Sequence, residues 1–505
     1  MEERTCIHVA LLAETGGAAA WSGDLAAALR AADGVQLTGV LLQAGPGPRT
    51  TASQRVHAGL ERALFGLLHP LLEIVAPDVA FSGIPVLRDL AGVDVLISLV
   101  ADRPCWPLLG GFSGQVWAFG PASHRTSTGP GGFSPGAGPA VTALFLLAPD
   151  PAMDCVLEPV VTATHRRSVH HSVAVAVAWW PAIAVRRLQA RRLGLELPPT
   201  AESPRLRRFH GAGALEAGRV SLGVTARFVR DRLRRRRVRE QWQLGFQLGG
   251  GELDLSRLVR VNPPPDRFWA DPFPCRRGDG WVVFFEEQLD GAPHGHISAL
   301  AVRPDGTWES LGTVLERPHH LSYPFLLEWE GAIFMIPEAG ATGRVQAYRC
   351  TRFPDRWEED AVLLDGPGLY DTTLVETGGR WWMFTTAGGG GAAVDSLLLF
   401  HAEAPFGPWM SHPLNPIKVD ARSARCGGGI RGAGGALLRP AQDCSERYGR
   451  SLTWQRIEVL SPVAYRERTV GSVVPGWDPD VVAVHTVNAC EGLVVVDFIA
   501  VRPTG

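Results

Sequence analysis

The chain has 505 residues, and at about 100 to 200 residues per domain that length asks for several cores and excludes a single small module. Hydrophobic residues make up 46% and charged residues 20%, a globular balance that excludes a largely disordered chain. With a formal net charge of -2 no global attraction draws it to nucleic acid or acidic lipid, so such a contact would have to come from a local patch.

The N-terminus, MEERTCIHVALLAETG, starts acidic and lacks a basic region before its short apolar run. A secretory signal is therefore not predicted, and a cytoplasmic location is expected. The 8 cysteines are scattered with no CxxC pair, so neither a zinc site nor a disulfide framework is implied, and no metal or cofactor is expected. Short apolar runs at 7–13, 35–42 and 93–100 alternate with helical patterns at 18–31 and 56–75. That alternation predicts an α/β domain over 1–170 with a doubly wound, mostly parallel sheet.

The run SVAVAVAWWPAIAV at 172–185 falls short of the roughly 20 residues that a spanning helix needs, and Pro181 interrupts it. It reads as a core helix or buried strand, with interfacial anchoring left open by the arginines that follow. Residues 171–240 are expected to form a basic helical linker, because 186–240 hold 16 Arg against 5 acidic residues. The linker would rest on the acidic remainder of the chain or touch anionic lipid at a membrane surface. Nucleic acid is not an expected partner.

From residue 241 to 505 the texture becomes all-β, with a repeat of about fifty residues, within the range of propeller blades. First strands read FWADPF, LSYPFLLEW and LYDTTLVET, and second strands WVVFFEE, AIFMIPE and RWWMFTT. Third strands read HISALAV, RVQAYRC and SLLLFHAEAP; a looser fourth unit runs through GGALLRPAQDC and SLTWQRIEVL. The fifth, VHTVN with LVVVDFIAV, lacks an outer strand, which QWQLGFQLG near Gln241 would supply to close the ring. The glycine tract at 388–391 is followed by neither Lys-Ser nor a helix, so it reads as a loop and not as a phosphate cradle.

In a propeller, equivalent positions of successive first strands face one another across a central funnel. The repeat places Asp271, Tyr323, Asp371 and His485 there. The ends of the second strands bring Glu286, Glu287, Glu338, Gln442, Asp443 and Asp497. Two carboxylates across a pocket suit glycoside chemistry, one protonated to donate to the leaving oxygen and one ionised to attack or to activate water. Asp271, Glu338 and Asp371 form the expected catalytic set, and Trp269, Tyr323, Tyr370 and Trp382 are aromatics able to stack on a sugar ring. Arg439, Gln442, Asp443 and His485 complete the candidate substrate contacts, with Arg439 and Asp443 read alternatively as an ion pair supporting a blade.

In order along the chain, WADPF, SYPF, IPE, YDTT, HPLNPI, RPAQDC and HTVN resemble the propeller domain that precedes the glycosyltransferase module of plant glucosamine inositolphosphorylceramide transferases and occurs in bacterial relatives. The resemblance implies a five-bladed propeller and a sugar or glycoconjugate as substrate. The domain is more distantly similar to arabinanase, xylosidase and invertase propellers. That similarity implies Asp271 as base or nucleophile, Glu338 as general acid and Asp371 as orienter and modulator of acidity. Tyr323-Pro324 departs from the pattern, since an Asp-Pro would repeat the first blade. Residues 5–170 resemble formyltransferase-like domains, with Asp154 at the place of the family's aspartate; its Asn and His are missing, and His124 is displaced. The likeness implies a degenerate domain. The expected function is cleavage or transfer of a glycosidic bond in the funnel, with a non-catalytic sugar-binding module and N-formyl transfer to an amino sugar as alternatives.

Overall fold

The computed structural model describes residues 6–44, 74–100, 104, 106–109, 111–123, 140–149, 154–163, 169–195, 205–206, 238–251, 253–366, 368–389 and 392–503. The chain divides into two compact units, 1–231 and 232–505.

In the first unit, β1 (Ile7–Glu14), β2 (Val35–Gln43), β3 (Val86–Leu87) and β4 (Val95–Ser98) run parallel with the start of β5 (Gln115–Ser123). Then β6 (Ala140–Leu147) and β7 (Cys155–Thr162) turn antiparallel, giving the order β3-β2-β1-β4-β5-β6-β7. The predicted strands at 7–13, 35–42 and 93–100 are thus present, but the sheet is mixed. The central strand β1, IHVALLAE, is buried along almost its whole length, as expected of a strand covered on both faces. Helix α1 (Trp21–Ala31) buries Leu25 and Leu29. The predicted helix at 56–75 lies outside the described residues, apart from a two-residue strand at Ile74–Val75.

The apolar run at 172–185 folds as helices, α2 (Val169–Ala178) and α3 (Trp180–Arg192), with Pro181 in the first turn of α3, where its missing N–H costs nothing. Trp180 donates from its indole to Thr142 on β6 at 3.0 Å, and buried Arg186 pairs with Glu158 on β7. The beginning of the expected linker therefore packs on the sheet of this unit. Residues 196–204 and 207–237, which hold most of the arginines, lie outside the described residues. Among the described residues no helix is long and apolar enough to cross a membrane.

The second unit is a five-bladed β-propeller. Blade I comprises Arg267–Arg277, Gly280–Leu289, His296–Val302 and Trp308–Leu315; blade II comprises Ser322–Trp329, Ala332–Glu338, Arg344–Arg352 and Arg356–Asp365. Blade III holds Leu369–Thr377, Arg380–Gly389 and Ala392–Ala402 with short outer strands, so Gly388 and Gly389 end a strand at the hairpin. Blade IV holds Arg431–Ala433, Ala436–Asp443, Ser451–Leu460 and Tyr465–Val473. In blade V, Val481–Cys490 and Leu493–Pro503 are joined by Val238–Leu248 and Val259–Val261. The pairing of Val238–Leu248 with Leu493–Pro503 runs from Val238 against Pro503 to Leu248 against Leu493, which closes the ring as predicted.

The fourth strands were not read from sequence. Their alternation is weak because most of their side chains face water, as in Trp308–Leu315 with exposed residues 309–313. Between blades I and II, Phe284 is fully buried and meets Phe353 and Trp357 edge to face at 5.8 and 5.6 Å.

Candidate active site at the propeller axis

Four innermost strands break register at the same point: between Ala270 and Phe273, Ser322 and Phe325, Tyr370 and Thr373, and Val484 and Val487. The bulged pairs are Asp271-Pro272, Tyr323-Pro324, Asp371-Thr372 and His485-Thr486, so the alignment expected from the repeat corresponds to one shared feature. A bulge re-aims its side chain away from the pleat. Asp271, Tyr323 and Asp371 adopt left-handed backbone, with φ of 51°, 44° and 50°. Each such non-glycine residue costs on the order of 1–3 kcal/mol and persists where its surroundings over-determine it.

At the junction of blades I and V, Asp271 accepts from the Thr486 hydroxyl at 2.6 Å, and its N–H donates to Asp497 at 2.8 Å. His485 places Nδ1 2.6 Å from Asp497 Oδ2 and Nε2 3.7 Å from Asp271 Oδ1, and stacks on Trp242 at 4.0 Å. Burial opposes a charge on His485, yet Asp497 and Asp271 outweigh it and raise the imidazole above its ordinary value. Burial likewise raises Asp271, with His485 pulling the other way. Among the described residues Asp271, His485 and Asp497 offer ligand atoms close enough to share a metal ion, all within 4.8 Å of one another.

Toward blades III and IV, Asp371 receives both arms of Arg425, Nε at 2.7 Å and Nη2 at 3.1 Å, and the Gln442 amide at 3.0 Å. Burial pushes the Asp371 carboxyl up to about 7, against the pull of Arg425. The guanidinium lies against the rings of Tyr370 and Tyr448, at 5.7 and 5.2 Å from their centroids. Tyr323 is fully buried, with its hydroxyl 2.8 Å from Thr373 Oγ1 and accepting the Gly428 N–H at 2.8 Å. A Cβ on Gly428 would lie 2.1 Å from the Val487 carbonyl, so only glycine allows this approach between blades.

Two glutamates occupy one position of the repeat, since Ala270 pairs with Glu286 and Ser322 with Glu338. Their surroundings differ. Glu338 accepts from the Ser322 hydroxyl at 2.9 Å and the Gly340 N–H at 3.2 Å, with Arg425 at 3.9 Å. Glu286 is buried, and its Oε1 lies 3.3 Å from His320 Nε2. Burial first, then the negative charges of Asp271, Glu338, Asp497 and Asp371, raise the Glu286 carboxyl well above its ordinary value.

Of the residues expected from sequence, Asp271, Glu338, Asp371, Tyr370, Gln442 and His485 thus join this axial cluster. Trp269 lies in the core beside Phe285 and gives its indole N–H to Glu287 at 3.1 Å; Trp382 is buried core beside His401. Arg439 and Asp443 do not pair with each other. Arg439 is fully buried on Glu467 and the Ser423 carbonyl, while Asp443 binds Arg450 and Ser445. The fourth unit's GGALLRPAQDC is a second strand, and the axial contributor of that blade is Arg425 in the run before it. Glu286 was placed at a strand end by the repeat but left out of the expected catalytic set, and Arg425 and His320 were not selected from sequence. The register shared by Glu286 and Glu338 was the available signal for the first; nothing local marks Arg425. In the first unit Asp154 accepts the Ala148 N–H at 2.9 Å, and His124 lies outside the described residues.

Residues 257–477 match the family model described as glucosamine inositolphosphorylceramide transferase 1, N-terminal. The chain is 38% identical over 208 residues to glucosamine inositolphosphorylceramide transferase 1 of Oryza sativa subsp. japonica, covering 40% of this chain and 28% of that protein. The Arabidopsis thaliana protein of the same name gives 38% over 208 residues and 27% of its length. Under a third of the relatives' length is therefore represented. Among solved structures, a family 117 glycoside hydrolase of Zobellia galactanivorans is 13% identical, with a TM-score of 0.35 over 52% of this chain and 90% of that one. An exo-beta-1,3-galactanase of Phanerochaete chrysosporium is 12% identical, with a TM-score of 0.34 over 44% of this chain and 58% of that one. The C-terminal propeller, with its axial carboxylates, is related to the N-terminal region of the glucosamine inositolphosphorylceramide transferases.

Proposed function

We propose that the propeller axis binds a sugar and cleaves or transfers its glycosidic bond. The observation that carries this reading is the contrast between carboxylates. Glu286 is buried among like charges that raise its carboxyl well above its ordinary value, whereas Asp371, raised by burial as well, has the Arg425 fork pulling it back. Carboxyl groups pushed apart in acidity by their surroundings divide the roles of acid and base. Glu286 gives its proton to the glycosidic oxygen as the bond to the anomeric carbon breaks and the electron pair leaves with that oxygen. Asp271 takes the proton of the attacking water or acceptor hydroxyl, or attacks the carbon itself. Asp371, fixed by Arg425 and Gln442, orients the sugar and tunes its neighbours.

The sequence assigns the acid to Glu338, but both Glu338 oxygens already accept protein hydrogen bonds, which suits a group that receives substrate hydroxyls. The carboxyl groups of Asp271, Glu286, Glu338, Asp371 and Asp497 outnumber Arg425 and His485 at the axis, an excess that favours an amino sugar. The name of the plant relatives, which carries glucosamine, agrees with that class. Glu286→Gln and Asp271→Asn are expected to lower turnover of aryl amino-glycosides by about 10²–10⁴-fold while leaving binding by calorimetry intact. Retained turnover in Glu286→Gln would return the acid to Glu338.

A second reading, a sugar-binding module without turnover, is favoured by Tyr323. It stands where blade I has Asp271, with its hydroxyl already engaged by Thr373 and Gly428. Binding by the wild type with no bond cleaved or transferred, on substrates that bind, would select it.

A further inference from the structure

In blade I the second strand carries Glu286 near its end at Leu289 and the third starts at His296, and the segment before blade II brings His320 beside Gly295, just ahead of that start. The Gly295 N–H donates to His320 Nδ1 at 2.9 Å, and the Leu321 N–H donates back to the Gly295 carbonyl at 3.0 Å. An Nδ1 that accepts a backbone N–H carries no proton, so the ring hydrogen sits on Nε2. That nitrogen is 3.3 Å from Glu286 Oε1. With the ring hydrogen on the nitrogen that lies nearest Oε1, Oε2 is the oxygen left to hold the carboxyl proton.

We propose that His320 is a positioning residue for Glu286: locked as the Nε2–H tautomer by the Gly295 amide, it binds Oε1 and so keeps the transferable proton on Oε2. The assignment rests on Glu286 as the proton donor. Gly295 belongs to the same device. A Cβ there would lie 2.9 Å from His320 Cε1 and 3.0 Å from Glu286 Oε1, so the backbone can approach both groups only as glycine. His320 is 35% exposed at its side chain against 9% for Glu286, so the ring is also the water-facing member of the pair. The other ionisable groups acting on Glu286 are Asp271, Glu338, Asp371 and Asp497, all carboxyl groups, so His320 is the neighbour that offers Oε1 an N–H.

The test reads Glu286 directly and then turnover. In the full chain, the infrared carbonyl stretch of the neutral Glu286 carboxyl is identified as the band lost in Glu286→Gln. His320→Ala and Gly295→Ala are expected to shift that band, and His320→Gln, whose amide N–H reaches the Nε2 position, to restore it. In turnover, His320→Ala should lower kcat about 10- to 100-fold on a poor leaving group with KM unchanged, as a part of what a general acid supplies. The same variant should lose little on a nitrophenolate leaving group, which needs no proton. A Glu286 band present in wild type and unmoved in His320→Ala overturns the role of His320 and leaves Glu286 as acid. The absence of any neutral-carboxyl band assignable to Glu286 overturns both. A His320→Ala loss that is equal for poor and good leaving groups also overturns the proposal, because it marks a structural defect.

Discussion

At Glu286 the same burial that would make a proton donor sets a pH dependence of stability. Its folded value is raised above its unfolded value, so the fold binds this proton more tightly than the unfolded chain does. That stability is fully present below the ordinary glutamate range and is lost as pH rises through the raised value. Wild-type Tm is therefore expected to fall across that window, and Glu286→Gln, which has no proton to lose, to give a flatter profile. Parallel profiles for the two proteins would refute the shift. Arg425 tests a buried carboxyl that has a cation against it. Replacing it by Met leaves Asp371 buried with Gln442 as its remaining side-chain donor, and breaking a buried pair in this way costs about 3–5 kcal/mol. Denaturant unfolding of Arg425→Met measures it, and an undiminished midpoint would mean that Asp371 is carried without its partner. Asp271, Asp371 and Glu338 were legible because each sits in a recurring motif. Arg425 was not, because its partnership with Asp371 is made by blade closure and leaves no local mark in SARCGGG.

At the scale of elements, the inner three strands of blades I to III and two strands each of blades IV and V were readable from alternation and turn residues, and the closing strand from what the fifth unit lacked. The outer strands were not, since a solvent-facing edge such as Trp308–Leu315 carries little apolar signal. Trp269 and Trp382 show a related limit: a recurring motif does not say which face of a blade its aromatic takes, and both are buried in the blades. The alternation of apolar runs with helical patterns predicts a mostly parallel first sheet, but β6 and β7 are apolar runs as well and pair antiparallel, and an apolar run alone does not separate the two. The interblade core gives a magnitude. Phe284→Ala removes a fully buried ring that meets Phe353 and Trp357, and should destabilise the propeller by about 3–5 kcal/mol in urea. Closure gives a sharper outcome. A chain of residues 232–505 should unfold in one cooperative transition, whereas 250–505, without Val238–Leu248, exposes the edge of Leu493–Pro503 and should lose cooperativity. Equal cooperativity would show that the strand is dispensable.

At the scale of the whole molecule, the formal charge of -2 conceals a strong segregation, with 16 Arg between residues 186 and 240 and an excess of carboxylates at the propeller axis. A net charge near zero therefore says little about either surface. At the axis the imbalance acts on the ligand. A protonated amine placed between Asp271 and Glu338 gains charge-assisted hydrogen bonds worth about 1.5–3 kcal/mol, which an acetamide cannot supply. N-acetylation of an otherwise identical sugar should therefore weaken binding by at least about tenfold, and raising salt should narrow that difference only modestly, since buried pairs are poorly screened. Calorimetry with the free and acetylated amines at two ionic strengths checks both statements. Equal affinities would remove the electrostatic basis for an amino sugar and leave a neutral glycoside as the substrate class, while a difference abolished by salt would move the recognition from the axis to an exposed rim.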